Sequence, residues 1–281
     1  MPTFDYDFIV IRRRIDPLTR VLAYTAILVV ALPIVALVVK VPWSTFIESV
    51  GADDSLVAIQ LSLWTSGISA ILCLVLGVPL AWWLSQSDVK ISRIVRPIVL
   101  APIALPPTVA GLALLGLLSR QGLLGQFIFE HTGWQMPFTS VAVIFTGLFI
   151  GTPFLVLIVE STFYHIPEEI EDAAVIDRAS NGQLFRMIAL PQARNGIITA
   201  LLLAWARILG EFGATMMFAG SLPGSTQTWT IQIYHELDVN PDTAYALSFL
   251  MIVIAMSIFI FMRHPLVSTL TSRRNPRGEL T

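Results

Sequence analysis

Residues 168–191, EEIEDAAVIDRASNGQLFRMIALP, form a charged island between two long apolar segments. The segment before this island, residues 140–159, reads SVAVIFTGLFIGTPFLVLIV, and the segment after it, residues 196–220, reads GIITALLLAWARILGEFGATMMFAG. Charged side chains are costly in the hydrocarbon region of a bilayer. We therefore expect the island to lie in water beside a membrane and to dock there on a partner.

The composition of the whole chain is that of a polytopic membrane protein. Of its 281 residues, 55% are hydrophobic and 13% are charged, whereas soluble domains carry about 25% charged residues. The single cysteine, Cys73, excludes an internal disulfide framework. The sequence therefore predicts an all-α integral membrane protein.

Six apolar stretches reach the length of about 20 residues that a membrane-spanning helix needs. They are residues 21–41, 56–85, 94–118, 138–162, 196–219 and 243–262. We expect residues 21–263 to form a six-helix transmembrane domain. Short tails flank this domain at 1–20 and 264–281, and the island lies inside a loop at 164–193.

The positive charges are placed unevenly along the chain. Most of the 17 Lys and Arg residues lie in the two tails and in the segments that join span two to three and span four to five. Cytoplasmic segments of membrane proteins carry an excess of these residues. The sequence therefore predicts a multi-pass protein of the cell (inner) membrane whose termini and island are cytoplasmic.

The island itself carries two helix-start signals. Pro167 suits the first position of a helix, because its missing N–H would be unpaired there. Ser180 and Gln183 have the spacing of a capping box, which predicts a second short helix, and Pro191 is expected to end that helix. The pattern predicts helix, turn and helix at the membrane surface, and it leaves open an ordinary amphipathic loop.

The island also resembles the cytoplasmic EAA loop of ATP-binding-cassette (ABC) importer permeases. That pattern runs Glu-Ala-Ala, three residues, Gly, nine residues and Ile-x-Leu-Pro. Here Asp172-Ala173-Ala174 takes the first part and Ile188-Ala189-Leu190-Pro191 the last. Arg178 occupies the family's Gly position, and Gly182 is expected to supply the turn instead. The resemblance implies a type I permease fold whose loop inserts into a cleft on a separate ATPase subunit.

The resemblance places the ATPase contact on nine residues of the loop. They are Glu171, Asp172, Ala173, Ala174, Arg178, Ala179, Gly182, Leu190 and Pro191. A P-loop on this chain itself would need GxxxxGK[ST], in which backbone amides and the Lys hold the phosphates. Neither Lys40 nor Lys90 stands in such a motif. We therefore expect that this chain binds no cofactor and that ATP and Mg²⁺ bind the partner subunit.

Three further runs concern the transported substrate. They are residues 206–215, ARILGEFGAT; residues 221–228, SLPGSTQT; and residues 100–111, LAPIALPPTVAG. Together with the island, these runs are similar to the molybdate/tungstate permeases of the ABC superfamily. The resemblance implies that two copies of the permease form the pathway, that two ATPase subunits dock on the loops, and that an extracytoplasmic molybdate-binding protein delivers the anion.

Two opposite charges lie near the middle of span five. Arg207 and Glu211 would each cost about 2.5–3.5 kcal/mol if left alone at a helix centre. Their i, i+4 spacing predicts that they pair on one helix face. Two interpretations remain: Arg207 lowers the barrier for a divalent oxyanion, or the pair is an internal ion pair that fixes the helix against its neighbours.

A break in span three suggests where the pathway is gated. Pro106 and Pro107 interrupt this span, and broken helices line the pathway in many transporters, although a kink without a gating role is an alternative. We expect a gate lined by spans three and five. The candidate residues are Pro106, Pro107, Arg207, Gly210, Glu211, Gly213 and Thr215. Glu160, near the end of span four, is expected to reach the membrane interface.

These features together predict the permease subunit of an ABC importer for molybdate or tungstate, with no enzymatic activity of its own and no metal site. Its expected partners are the lipid bilayer, an ATPase, a binding protein and a second copy of the chain, but no nucleic acid. A sulfate or thiosulfate permease is the alternative within this class. An ATP-independent channel or secondary transporter is the alternative outside it, and would be expected to show repeated halves.

Overall fold

The computed structural model describes residues 16–167, 169–170, 172 and 176–272, with side chains up to residue 260. The regular elements of these residues are helices. They are α1 (Pro17–Lys40), α2 (Phe46–Gly51), α3 (Asp53–Gln86), α4 (Val89–Ala104), α5 (Pro107–Leu118), α6 (Gly125–Thr132), α7 (Ser140–Phe163), α8 (Asn181–Leu209), α9 (Gly213–Phe218), α10 (Trp229–Val239) and α11 (Pro241–Ser272).

Five of these helices are long and apolar enough to cross a membrane, namely α1, α3, α7, α8 and α11, and α4 with α5 makes a sixth if the bent pair is one span. This confirms the predicted all-α membrane fold. The chain divides into two compact units, with α1 in the first unit and the other helices in the second, which begins at Pro42. By itself, α1 is a 24-residue helix with a mean hydropathy of 2.7.

Two glycines of α7 allow α3 and α8 to lie close against it. A Cβ added at Gly147 would come 2.5 Å from the Oγ of Ser69 on α3. A Cβ added at Gly151 would come 2.5 Å from the Cδ1 of Ile208 on α8. Small residues at helix contacts let backbones approach in membranes, where lipid offers no hydrophobic drive for association. The GxxxG pattern of α7 is therefore a packing contact in the core of the second unit.

The predicted third span is broken into α4 and α5, which meet with a bend of 117°. Leu105 and Pro106, which join them, are extended, with ψ of 134° and 138°. Each of these residues precedes a proline, and the proline ring disfavours the α-helical conformation of the residue before it. The expected interruption of this span at Pro106 and Pro107 is confirmed.

The α4–α5 pair nevertheless runs between the two ends of the bundle. Helix α7 ends at Phe163, next to the island. We call this end of the bundle the island end and the opposite end the far end. At the island end, the Ser92 hydroxyl of α4 donates to the carbonyl of Leu84 at 3.3 Å. At the far end, Leu118 of α5 packs in one cluster with Ala142 near the start of α7. The pair is therefore one broken span.

The predicted fifth span is also broken. Its helix, α8, ends at Leu209, and the chain resumes a helix only at Gly213. The predicted span at 196–219 is thus made of two helices, because the Gly210 to Phe212 segment leaves the helical path. A helix break inside a membrane frees backbone groups that only protein or water can satisfy. The protein groups that form hydrogen bonds with the backbone at this break belong to the candidate functional site.

The two broken spans contact each other beside their breaks. A Cβ added at Gly213 would come 2.8 Å from the Cβ of Pro107. A Cβ added at Gly111 would come 2.6 Å from the Cβ of Met217 and 2.9 Å from the carbonyl oxygen of Ala214. The two short helices α5 and α9 are thus in backbone contact through glycine.

The sequence predicted that Pro191 ends the second helix of the island, and this prediction was wrong. The chain stays helical from Asn181 to Leu209, with a π-helical turn over Leu184–Ala189. The Leu190 amide donates to the carbonyl of Phe185, five residues back. This wide turn shifts the hydrogen-bond pattern just before Pro191, where an N–H is missing, so the helix passes the proline without a kink-forming clash.

Replacement of Gly111 with Ala is expected to destabilise the fold by roughly 2 kcal/mol, because the new methyl group meets backbone atoms of α9 and forces α5 away. The free energy of unfolding can be measured in mixed micelles with increasing denaturing detergent. Gly116→Ala is the matched control on the same helix, because no atom lies within 4 Å of its added Cβ. Equal stabilities of the two variants would contradict the close contact of α5 and α9.

Candidate functional site at the paired helix breaks

The carboxylate of Glu211 bridges the break between α8 and α9. Its Oε2 atom lies 2.5 Å from Nη1 of Arg207 at the end of α8, and its side chain is 3% exposed against 33% for Arg207. Its Oε1 atom accepts the amide of Ala214 in the first turn of α9 at 3.0 Å. The predicted pairing of Arg207 with Glu211 is confirmed, but Glu211 stands outside the helix rather than on the same helical face.

Helix α10 and α7 add further contacts to this ion pair. The Thr230 hydroxyl of α10 donates to the main-chain carbonyl of Glu211 at 2.8 Å. The guanidinium carbon of Arg207 lies 5.9 Å from the centre of the Phe154 ring of α7. The pair therefore ties four helices together at the break.

A polar pocket lies beside the ion pair. Its wall includes three hydroxyl residues of α3, together with the break region and the loop before α10. The polar lining residues are Ser62, Thr65, Ser66, Glu211, Thr215 and Thr228. Hydroxyl groups on one face of an otherwise apolar span mark a face that meets protein or water and not lipid.

Most of the α3 hydroxyl protons in this pocket are already engaged. Thr65 donates to the carbonyl of Leu61 at 2.6 Å, and Ser66 donates to that of Leu63 at 3.3 Å. Ser66 also accepts the indole N–H of Trp205 at 2.9 Å. The pocket is thus polar but offers few free donors.

The structure brings together part of the predicted gate set. Arg207, Glu211 and Thr215 surround or line the pocket, and Pro107 contacts Gly213 next to it. Pro106 lies at the break of the third span, whereas Gly210 is exposed at the end of α8. Sequence reasoning missed the α3 hydroxyls. Their recurrence at residues 62, 65, 66 and 69, at helical spacing in an apolar span, was the signal that could have found them.

The predicted ATPase-contact residues that the structure describes do not line this pocket. Glu171, Ala173 and Ala174 fall outside the described residues. Asp172 is exposed, and Leu190 packs against the core cluster of α3, α7 and α8. The Ser180–Gln183 capping box is confirmed, since the Gln183 side chain accepts the Ser180 amide at 2.8 Å and the Ser180 hydroxyl accepts the Gln183 amide at 3.3 Å.

Arg178 itself makes the turn before this capping box. Its φ is +57°, in the left-handed region, where residues other than glycine and asparagine are uncommon. Gly182 is helical and does not supply the turn, so that expectation was wrong. A glycine at position 178 would adopt the same φ without steric cost, which is a physical reason for glycine at that place in an EAA loop.

Loss of the Glu211 carboxylate is expected to destabilise the fold. Glu211→Ala removes the ion pair and the α9 cap together, and should lower the free energy of unfolding by about 2–3 kcal/mol. This loss is smaller than that expected for breaking a fully buried ion pair, because Arg207 is partly exposed. Glu211→Gln keeps an oxygen for the Ala214 amide and should lose about half as much. Unfolding in mixed micelles measures both, and the exposed Asp238→Ala serves as the control. Equal stability of Glu211→Ala and wild type would contradict the bridging role.

Arg178→Gly is expected to raise local stability by about 0.5–1 kcal/mol. Glycine relieves the left-handed strain at this position, but the greater flexibility of glycine in the unfolded chain offsets part of that gain. Amide hydrogen exchange across residues 176–183 measures this. Arg186→Gly, at an exposed helical position, is the control and should destabilise its segment by about 1 kcal/mol. The same sign for both variants would argue against strain at Arg178.

Sequence comparisons agree with this geometry. Residues 74–266 match the family described as "Binding-protein-dependent transport system inner membrane component". The chain is 37% identical over 238 residues to the "Molybdenum transport system permease protein ModB" of Mycobacterium tuberculosis, across 85% of this chain and 90% of that protein. It is 35% identical to the "Probable transport system permease protein NifC" of Clostridium pasteurianum, across 80% of each. It is 28% identical to the "Probable sulfate transport system permease protein cysT" of Chlorokybus atmophyticus, across 82% and 80%.

Solved structures share the fold at low sequence identity. One is a bacterial alginate ABC transporter in complex with a periplasmic protein that holds an alginate pentasaccharide, with a TM-score of 0.70, 18% identity and coverage of 88% of this chain and 92% of that one. Another is the inward-facing MetNI methionine ABC transporter, with a TM-score of 0.58, 18% identity and coverage of 75% and 94%. The fold is therefore that of ABC importer permeases. From the family match and the relatives together, this chain belongs to the binding-protein-dependent transport system inner membrane components.

Proposed function

We propose that this chain is the membrane-spanning subunit of an ATP-driven importer that carries molybdate, with tungstate as a close substitute, into the cell. The substrate follows from the names of relatives at 37% identity and from the runs at 206–215 and 221–228. The observation that supports a transport pathway is the Arg207–Glu211 pair, with its buried carboxylate and partly exposed guanidinium, beside a hydroxyl pocket where two broken spans meet.

The electrostatics of this site suit a divalent oxyanion in transit. Arg207 keeps a third of its side chain exposed, while Glu211 is buried and also held by the Ala214 amide. An approaching anion therefore meets the cation first and a carboxylate whose charge is already engaged. The positive end of the α5 dipole, at Pro107, lies next to the same break and adds a favourable field. The engaged hydroxyls keep binding weak, as passage requires.

The partners in this proposal divide the work. A separate ATPase subunit binds ATP and Mg²⁺ and docks on residues 164–193, including the turn at Arg178 and the capped helix at Ser180. A binding protein delivers the anion on the extracytoplasmic side, and two copies of this chain enclose the pathway. The chain has no catalytic role, and the exposed polar surface of the island is what such docking uses.

The proposed cycle is the one that the resemblance to ABC importer permeases implies. ATP binding closes the ATPases and draws the two islands together. The displaced islands move the inner ends of the spans, and the contact between α5 and α9 opens toward the extracytoplasmic side. Hydrolysis releases the islands and closes that opening. Positioning and displacement, and no covalent step on this chain, therefore carry the transport.

Sulfate import is the second candidate, because one relative of 28% identity carries a sulfate permease name. Sulfate and molybdate are both tetrahedral dianions, so the charge at Arg207 does not separate them. The loop at 221–228 and the molybdenum-named relatives of higher identity favour molybdate.

Uptake of labelled molybdate into proteoliposomes tests the proposal. The vesicles hold this chain with its partner ATPase and a molybdate-binding protein, and ATP is present on the ATPase side. We expect uptake that requires ATP and the ATPase subunit and that tungstate, but not sulfate, blocks. Competition by sulfate would keep the importer and change the substrate. Uptake indifferent to ATP and to the ATPase would overturn the proposal in favour of a channel or secondary transporter.

A further inference from the structure

A second ion pair joins the broken third span to the helix that leads into the island. Arg96 of α4 donates from Nε to Oε1 of Glu160 on α7 at 3.1 Å, and from Nη2 to the same oxygen at 2.5 Å. The Arg96 Nη2 atom also donates to the Tyr164 hydroxyl at 2.9 Å. Glu160 is 4% exposed. Its partner comes from a different span.

The position of this pair links two functional regions. Glu160 lies one turn before the end of α7, and Tyr164 follows that end, where the chain leaves for the island. Arg96 lies in the middle of α4, and the remaining turns of α4 lead directly to the break at Leu105 and Pro106. Pro97 and Pro102 lie in this part of α4, which nevertheless stays helical to Ala104. At about 1.5 Å per residue, the eight residues after Arg96 span only about 12 Å. Movement of the α7 end therefore has a short, continuous helical route to the break.

Other contacts bring the island helix to the same place. The Trp82 ring of α3 lies 5.1 Å from the Phe163 ring and 5.7 Å from the Phe185 ring of the π turn, centre to centre. A Cβ added at Gly196 of α8 would come 2.3 Å from Thr162 Oγ1 of α7. The chain segments that lead into and out of the island are thus both packed at the end of α7 that carries Glu160.

The remaining contacts of α4 here are of a different kind. Val95 and Val99 pack on the core cluster, and Ser92 makes long hydrogen bonds to the carbonyls of Leu84 and Ser87. Apolar contacts slide at small cost, whereas a carboxylate held by two guanidinium donors has a fixed direction. Among the described contacts between α4 and α7, the ion pair is the one that fixes the two helices in register.

We propose that Arg96 and Glu160 are positioning residues that transmit displacement of the island to the gate through α4. This rests on the proposed function, in which an ATPase moves the island. When the α7 end moves, Glu160 pulls Arg96, α4 tilts as a lever about the extended Leu105–Pro106 joint, and α5 shifts against α9. The pair touches neither anion nor nucleotide, and its role is coupling.

The test compares ATP hydrolysed with molybdate taken up by the reconstituted complex of this chain, its ATPase and its binding protein. Glu160→Gln and Arg96→Gln each weaken the link, and we expect each to raise the ATP spent per molybdate by about tenfold, within the usual range of coupling between sites. The reversed pair, Arg96→Glu with Glu160→Arg, restores an ionic link and should bring the ratio back to within about threefold of wild type. Arg93→Gln, an exposed arginine of the same helix, is the matched control and should leave the ratio unchanged.

The outcomes separate this inference from the proposed function. An unchanged ratio in both single variants, or a reversed pair that folds without restoring the ratio, overturns the coupling role. A fall of uptake and hydrolysis in strict proportion to the amount of folded complex would also overturn it, because that pattern is loss of structure alone. Absence of ATP-dependent uptake in the wild-type complex would instead refute the proposed function, whatever the variants do.

Discussion

Backbone hydrogen bonds that are interrupted inside a membrane have to be replaced by other protein groups, because lipid supplies none. This chain interrupts two spans, after Ala104 and after Leu209. At the second break the Glu211 carboxylate takes the Ala214 amide, and the Thr230 hydroxyl satisfies the Glu211 carbonyl. The two breaks also lie against each other through Gly111 and Gly213, so that each covers the other from lipid.

The other features of the centre follow from this constraint. A carboxylate used as a helix cap in a buried place needs a cation, and Arg207 supplies it one turn earlier. The hydroxyls of α3 then face a region that is already polar, and a pocket results beside the ion pair. The same breaks separate α4 from α5 and α8 from α9. A requirement of backbone chemistry thus accounts for the polar pocket beside the broken spans.

Local patterns predicted what depends on neighbours in sequence. The span at Ser140–Phe163, the Ser180–Gln183 capping box and the pairing of Arg207 with Glu211 all have short-range signals, and all are present. The adjacent Pro106 and Pro107 predicted the break in the third span, because this signal too depends on neighbours in sequence. These signals gave the membrane fold, and motif resemblance then gave the family.

Long-range contacts and backbone adjustments were beyond local patterns. Glu160 is buried because Arg96, 64 residues away, reaches it. Pro191 leaves its helix unbroken because a π turn absorbs the missing N–H, and no residue in the sequence announces that turn. Arg178 takes a left-handed φ, which neither its propensity nor its charge predicts. In each case tertiary packing overrides the preference of the single residue.

The most direct test of a gated pathway between the two breaks is the chemical accessibility of a cysteine placed in the pocket. Thr215→Cys would be made in a Cys73→Ala background, since Cys73 is the single native cysteine, with the exposed Leu112→Cys as reference. Its rate of reaction with a membrane-impermeant maleimide is measured in the reconstituted complex without nucleotide and with ATP trapped on the ATPase. The account predicts slow labelling without nucleotide and clearly faster labelling in the trapped state. The same rate in both states would contradict it.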